Sequence, residues 1–137
     1  MERIQPLRHR GEMLAAISTG LVRLHSQYYG KGPTKAKTHM VNDTVICILR
    51  GGFTTVERTL IEHGNRHAVH EMRRNFQDAM EEEFKTVVED ATQRRVIAYM
   101  SQIHTDPDLA IEIFVLEPAD DHAAAGGNED GAGPAEG

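Results

Sequence analysis

Cysteine occurs once in this 137-residue chain and tryptophan not at all. A single thiol makes neither an intrachain disulfide nor a cysteine-based zinc site, which fits a reducing, cytoplasmic setting. Apolar runs fall well short of the roughly 18 residues of a membrane span, so no transmembrane segment is expected. The opening Met1-Glu2-Arg3-Ile4-Gln5-Pro6 lacks the apolar stretch of a secretory signal. Aromatics are scarce as well, four Phe and three Tyr, most of them placed in apolar stripes. That leaves little for the base stacking of RNA recognition. No H-E-x-x-H, no Walker A loop and no paired nucleophile and base are present, so the chain reads as non-enzymatic and without a cofactor.

What is present is an uneven distribution of charge. The formal net charge is -6. Residues 119–137 carry five of those negative charges, no Lys or Arg, and little apolar beyond alanine. Such a segment cannot bury enough surface to offset the entropy of ordering, and it reads as a disordered acidic Ala/Gly-rich tail. Residues 1–58 hold nine basic and four acidic groups; residues 59–118 hold six and twelve. The split means either two differently charged solvated faces or a basic patch for an anionic partner.

Periodicity predicts the elements. Leu14, Ile17, Leu21, Leu24 and Tyr28 form one stripe on a helix from about Glu12 to Tyr29, stopped by Gly30 and Pro33. Ala36 to Val41 and Thr44 to Arg50 read as a hairpin turning at Asn42-Asp43. The continuous run Val45 to Leu49 suggests a central strand covered on both faces. Thr54 and Glu57 have the spacing of a capping box that opens a short helix to His63. After Gly64, with Asn65 as its N-cap, a long helix spans Arg66 to Thr92 with the stripe Val69, Met72, Phe76, Met80, Phe84, Val87 and Ala91. A second hairpin, Arg94 to Ile103 and Leu109 to Leu116, closes the body, Ile111, Ile113 and Val115 alternating with Glu112 and Phe114 as in a half-buried strand. The fold class is therefore α+β: two helix-plus-hairpin units (α-β-β-α-α-β-β) making a four-stranded antiparallel sheet with helices on one face. Surplus apolar positions on the second strand and the long helix suggest a homodimer.

Gly30-Lys31-Gly32-Pro33 is the most distinctive local sequence. Its glycines let backbone N–H groups converge on an anion, with Lys31, Lys35 and Lys37 supplying charge; a helix stop and rigid turn explains the same glycines. His63, His67 and His70 have ligand-like spacing, but Gly64-Asn65 interrupts it, leaving His67 and His70 as weak metal candidates against solvated histidines. Glu81-Glu82-Glu83 point in different directions on a helix and read as a solvated face. Cys47, among apolar neighbours, reads as an inert buried thiol. Arg73-Arg74 and Arg94-Arg95 are candidates to grip phosphate.

Taken in order, Tyr29-Gly30-Lys31-Gly32-Pro33, Leu49-Arg50-Gly51-Gly52-Phe53-Thr54, Glu57, Leu60, Arg73, Phe76, Gln77, Val96 to Met100, Asp106-Pro107-Asp108-Leu109 and Phe114-Val115-Leu116-Glu117 resemble the MpsC-like family over about residues 10–118. This is a bacterial domain that takes its name from one component of a sodium-translocating, membrane-potential-generating system. Relatives carry glycine where this chain has Gln93, a departure at the turn into the third strand. The resemblance implies a cytoplasmic accessory component of a membrane system coupling sodium or inorganic-carbon movement to membrane potential, with a protein partner in that system. It supplies no catalytic residues. Residues 1–10 then read as an N-terminal extension, 11–118 as the domain and 119–137 as the added tail.

The combined reading is a non-enzymatic, cytoplasmic accessory or regulatory domain that binds a partner protein or a small anionic ligand. Gly30, Lys31, Gly32, Pro33, Lys35, Lys37 and Arg73 are its candidate binding residues. The alternative is a nucleic-acid-associated regulator using the basic first half; an enzyme of unknown type comes third.

Overall fold

The computed structural model describes residues 6–119. The acidic tail expected from Ala119 onward lies, beyond Ala119 itself, outside the described residues, as do residues 1–5. The elements are α1 (Pro6–Tyr29), β1 (Lys35–Val41), β2 (Thr44–Arg50), α2 (Thr55–Glu62), α3 (Arg66–Thr92), β3 (Val96–His104) and β4 (Leu109–Leu116). Helix α1 begins earlier than periodicity indicates, at Pro6, a residue whose fixed φ and missing N–H suit a first helical position. Among the described residues no helix is long and apolar enough to cross a membrane.

The strands form one antiparallel sheet in the order β1-β2-β4-β3. The β1–β2 hairpin turns through Asn42, whose φ of 54° is the left-handed conformation asparagine tolerates. β4 pairs with both β2 and β3, so the two hairpins join through β2 and β4 at the centre. Helix α2 opens on the complete capping box: Glu57 N–H donates to Thr54 Oγ1 at 3.2 Å and Thr54 N–H to Glu57 Oε1 at 2.8 Å. At the end of α3, Gln93 adopts φ 58° as the left-handed C-cap. Glycine is the low-cost residue for this conformation, and Gln93 keeps the helix stop without it. Arg94 is drawn aside by Asp43 at 2.5 Å and Glu117 O at 2.8 Å, so β3 starts at Val96 rather than Arg94.

The main core lies between the helices and one face of the sheet. Ile17 and Leu21 of α1, Val45, Cys47 and Leu49 of β2, Met80, Phe84 and Val88 of α3, and Phe114 and Leu116 of β4 are buried together. Three expectations need correction. Strand β2 is covered on one face only, because Ile46 and Ile48 remain half-exposed on the side that no described helix reaches. On α3, Met72 is 44% exposed, while Arg73 and Gln77 take places in the buried stripe. On α1, Tyr28 is 49% exposed and His25 is buried in its place. Arg73 turns inward onto Glu57 and His25 onto the Leu21 carbonyl, polar partners that the periodicity of apolar residues cannot register.

Candidate functional site

Part of the set that carries the family resemblance, Tyr29 to Pro33, Gly51 to Thr54 and Asp108, converges at one end of the sheet, whereas Val96 to Met100 and Phe114 to Glu117 run to the other. Gly30 closes α1 in the left-handed region, and its N–H donates to Ser26 O at 2.9 Å. Gly32 lies so near α1 that a Cβ would sit 2.1 Å from Ser26 Oγ. Lys31 Nζ donates to Gly51 O at 2.6 Å, tying this turn to the loop after β2. The Asp108 carboxylate accepts from Gly52 N–H at 3.2 Å and Phe53 N–H at 3.0 Å, which adds the β3–β4 loop. Three loops distant in sequence thus share one set of hydrogen bonds.

Arg73 fastens this assembly to the helices. Its Nε and Nη2 donate to the two Glu57 carboxylate oxygens at 2.6 and 2.5 Å, and Nη2 also donates to Gly52 O at 3.0 Å. The guanidinium carbon lies 3.8 Å from the centre of the Tyr29 ring and 5.2 Å from that of Phe53. Both charged residues are buried. Burial alone would raise the Glu57 pKa, but the Arg73 hydrogen bonds and the Thr54 N–H reverse this and hold it below the ordinary carboxylate value. Next to the pair, burial lowers the pKa of His25, which stacks on Phe84 with ring centres 5.3 Å apart.

On the other side of Arg73 a cleft of about 240 Å³ opens between α3 and β3, lined mainly by polar groups. Arg74, His70, Asp78 and Glu81 supply one wall; Tyr99, Ser101 and Ile103 supply the other. Beneath it lies Glu112, fully buried on the helix-covered face of β4 and directly opposite Ser101 in the β3–β4 register. Tyr99 Oη donates to Glu112 Oε1 at 2.5 Å. Glu112 Oε2 and Ser101 Oγ are buried without a hydrogen-bond partner. Burial raises the Glu112 pKa to about 7, although the Tyr99 hydrogen bond opposes the shift.

The residues singled out in the sequence are dispersed by this geometry. Gly30, Lys31, Gly32, Pro33 and Arg73 meet in the loop assembly, where Lys31 and Arg73 spend their charge on internal acceptors. Lys35 and Lys37 are exposed on β1, and their register partners Arg50 and Ile48 place them on the sheet face turned away from the helices. Arg73 and Arg74 diverge: the first is buried on Glu57, the second lines the cleft. Arg94 is paired with Asp43. His67 is highly exposed beside Glu71, and among the described residues no group of three or more His, Cys, Asp or Glu is placed to hold a metal ion. Cys47 is buried, and burial pushes its thiol up to about 11.

The residues missed in the sequence are Asp108, Tyr99, Ser101 and Glu112. Glu112 left one signal: it shares strand parity with Phe114 and Leu116. The alternation suggested Ile111, Ile113 and Val115 as the buried face; the structure corrects this, burying Glu112, Phe114 and Leu116 under the helices, where Tyr99 holds Glu112.

A family model described as Na+-translocating membrane potential-generating system (MpsC) matches residues 9–118. Comparisons with curated proteins and with solved structures found no match.

Proposed function

The chain belongs to the MpsC family, and from that premise we propose that it is a non-enzymatic accessory component of a Na+-translocating, membrane-potential-generating system, acting by binding. The site is the α3–β3 cleft. The single observation that carries this reading is the polar cleft of about 240 Å³ between α3 and β3, into which Arg74, His70, Asp78, Glu81 and Ser101 converge. Arg74 and His70 beside Asp78 and Glu81 give the rim both signs of charge, which suits a polar protein segment or a small ligand.

Binding rather than catalysis is favoured by what the reactive groups do. The Cys47 thiol is buried and protonated, the Glu57 carboxylate is committed to Arg73, and Tyr99 is committed to Glu112. In this reading the family-marking loops hold the fold, and the accessory role belongs to the cleft. A cytoplasmic location follows from the reading as a proposal, since the described residues supply no span of their own.

The test is affinity purification of the full chain from native membranes in mild detergent, with wild type compared with an Arg74→Ala, Ser101→Ala double variant. Recovery of ion-translocating subunits with wild type, and their loss in a variant of unchanged melting temperature, supports the reading. Equal recovery by both, or no such subunit with wild type, contradicts it.

A further inference from the structure

The sheet face turned away from the helices is laid out in four rows by the strand register. They are Val41, Thr44, Val115, Ala98; then His39, Ile46, Ile113, Met100; then Lys37, Ile48, Ile111, Gln102; then Lys35, Arg50, Leu109, His104. The centre is aliphatic, and its rim exposes Val41 and Met100 at 58% and 52%. No described element covers it, and none of these sixteen positions is acidic. Cations collect at one end, Lys35, Lys37 and Arg50, while at the other, beyond the Val41 row, Asp43 is paired with Arg94 and Glu117 stands beside Arg95.

We propose that this face is the interface of a two-fold homodimer in which the two sheets stack with their strands antiparallel between copies. Two observations select a second copy as the occupant. The first is size. Four strands about 4.8 Å apart and roughly 25 Å long make a plate of about 500 Å², and two such plates in contact bury on the order of 1,000 Å². That is the lower bound for specific association. The second is charge. A two-fold axis lying across the strands sets the Lys35 and Arg50 row of one copy over the uncharged Val41, Thr44, Val115 and Ala98 row of the other. The cationic ends therefore avoid one another, and the contact is closed. Ile46, Ile48, Ile111 and Ile113 interdigitate at its centre, as side chains do between stacked sheets. The α3–β3 cleft lies on the helix side, so the dimer leaves it free and the proposal is independent of the cleft's function.

Sedimentation equilibrium of the full chain tests this. Wild type is expected at twice the 15.3 kDa chain mass. Ile48→Glu and Ile113→Glu, each placing a charge at the centre, are expected to weaken association by roughly 100-fold or more with an unchanged far-UV spectrum. Should either fail to fold, the rim variants Met100→Glu and Val41→Glu serve instead, with weakening of roughly 10-fold expected. Val56→Glu, an exposed apolar position on α2, is expected to leave the dimer intact. A monomeric wild type at high micromolar concentration overturns the proposal. So does a dimer that persists in every sheet-face variant, or one that Val56→Glu dissociates.

Discussion

Arg73 and Glu57 form a buried, two-point ion pair, Nε to Oε2 at 2.6 Å and Nη2 to Oε1 at 2.5 Å, between the long helix and the first turn of α2. The same Glu57 oxygen accepts the Thr54 N–H, and the same Arg73 nitrogen donates to Gly52 O. Helix capping, loop closure and charge neutralisation thus depend on each other. Removing one member leaves the other buried and unpaired, which typically costs about 3–5 kcal/mol. Arg73→Met and Glu57→Gln are each expected to lose that much in urea unfolding. The Arg73→Met, Glu57→Leu double variant is expected to lose markedly less than the sum of the single Arg73→Met and Glu57→Leu variants, because no stranded charge remains. Additive losses would show that the pair is not coupled.

Asp108 holds the β3–β4 loop against the loop after β2 through two backbone N–H groups. Asp108→Ala leaves those donors without their acceptor and is expected to cost about 1–3 kcal/mol. Amide exchange should quicken at Gly52 and Phe53 before it does in the β2–β4 pairing. Unchanged exchange at both amides would contradict the assignment.

Lys31 acts on Gly51 O, across the junction of the first two loops. Lys31→Met is expected to cost about 1–2 kcal/mol, the worth of one hydrogen bond from a charged group. Recovery of membrane partners should be unchanged. Loss of partners at full stability would move the binding site from the cleft to the Gly30–Pro33 turn.

Glu112 carries a pH dependence of defined sign. Its folded pKa is raised from the ordinary 4.5 to about 7 by burial, so the folded state holds its proton more tightly than the unfolded chain does. Its contribution is full below pH 4.5 and is lost as pH rises through about 7. Glu112→Gln removes the titration and keeps an acceptor for Tyr99. Relative to wild type the variant is expected to gain stability across that window, reaching on the order of 3 kcal/mol above pH 7. Urea midpoints at pH 5 and pH 8 measure the difference. An equal gap at both values would contradict it.

The elements were legible in the sequence where local chemistry decides them. The Thr54–Glu57 capping box, the Asn42-Asp43 turn and the Gly30 and Gly64 stops each act over a few residues, and each fell in its expected place. What local chemistry could not show was which polar residues face inward. Arg73 enters the helix stripe because Glu57, sixteen residues before it, waits there. The apolar run of β2 suggested two covered faces, whereas one of them is the uncovered sheet face. The cleft was illegible for the same reason: Arg74 and Ser101 come together only when α3 and β3 pack.

Photo-crosslinking in native cells most directly tests the division of the molecule into a partner-binding cleft and a self-associating sheet face. One full-length variant carries the photoreactive residue at position 74, in the cleft; another carries it at position 100, on the sheet face. Position 74 is expected to capture a protein of the ion-translocating system, and position 100 a second copy of the chain. Capture of that protein from position 100, or of nothing but a second copy from position 74, would contradict the division.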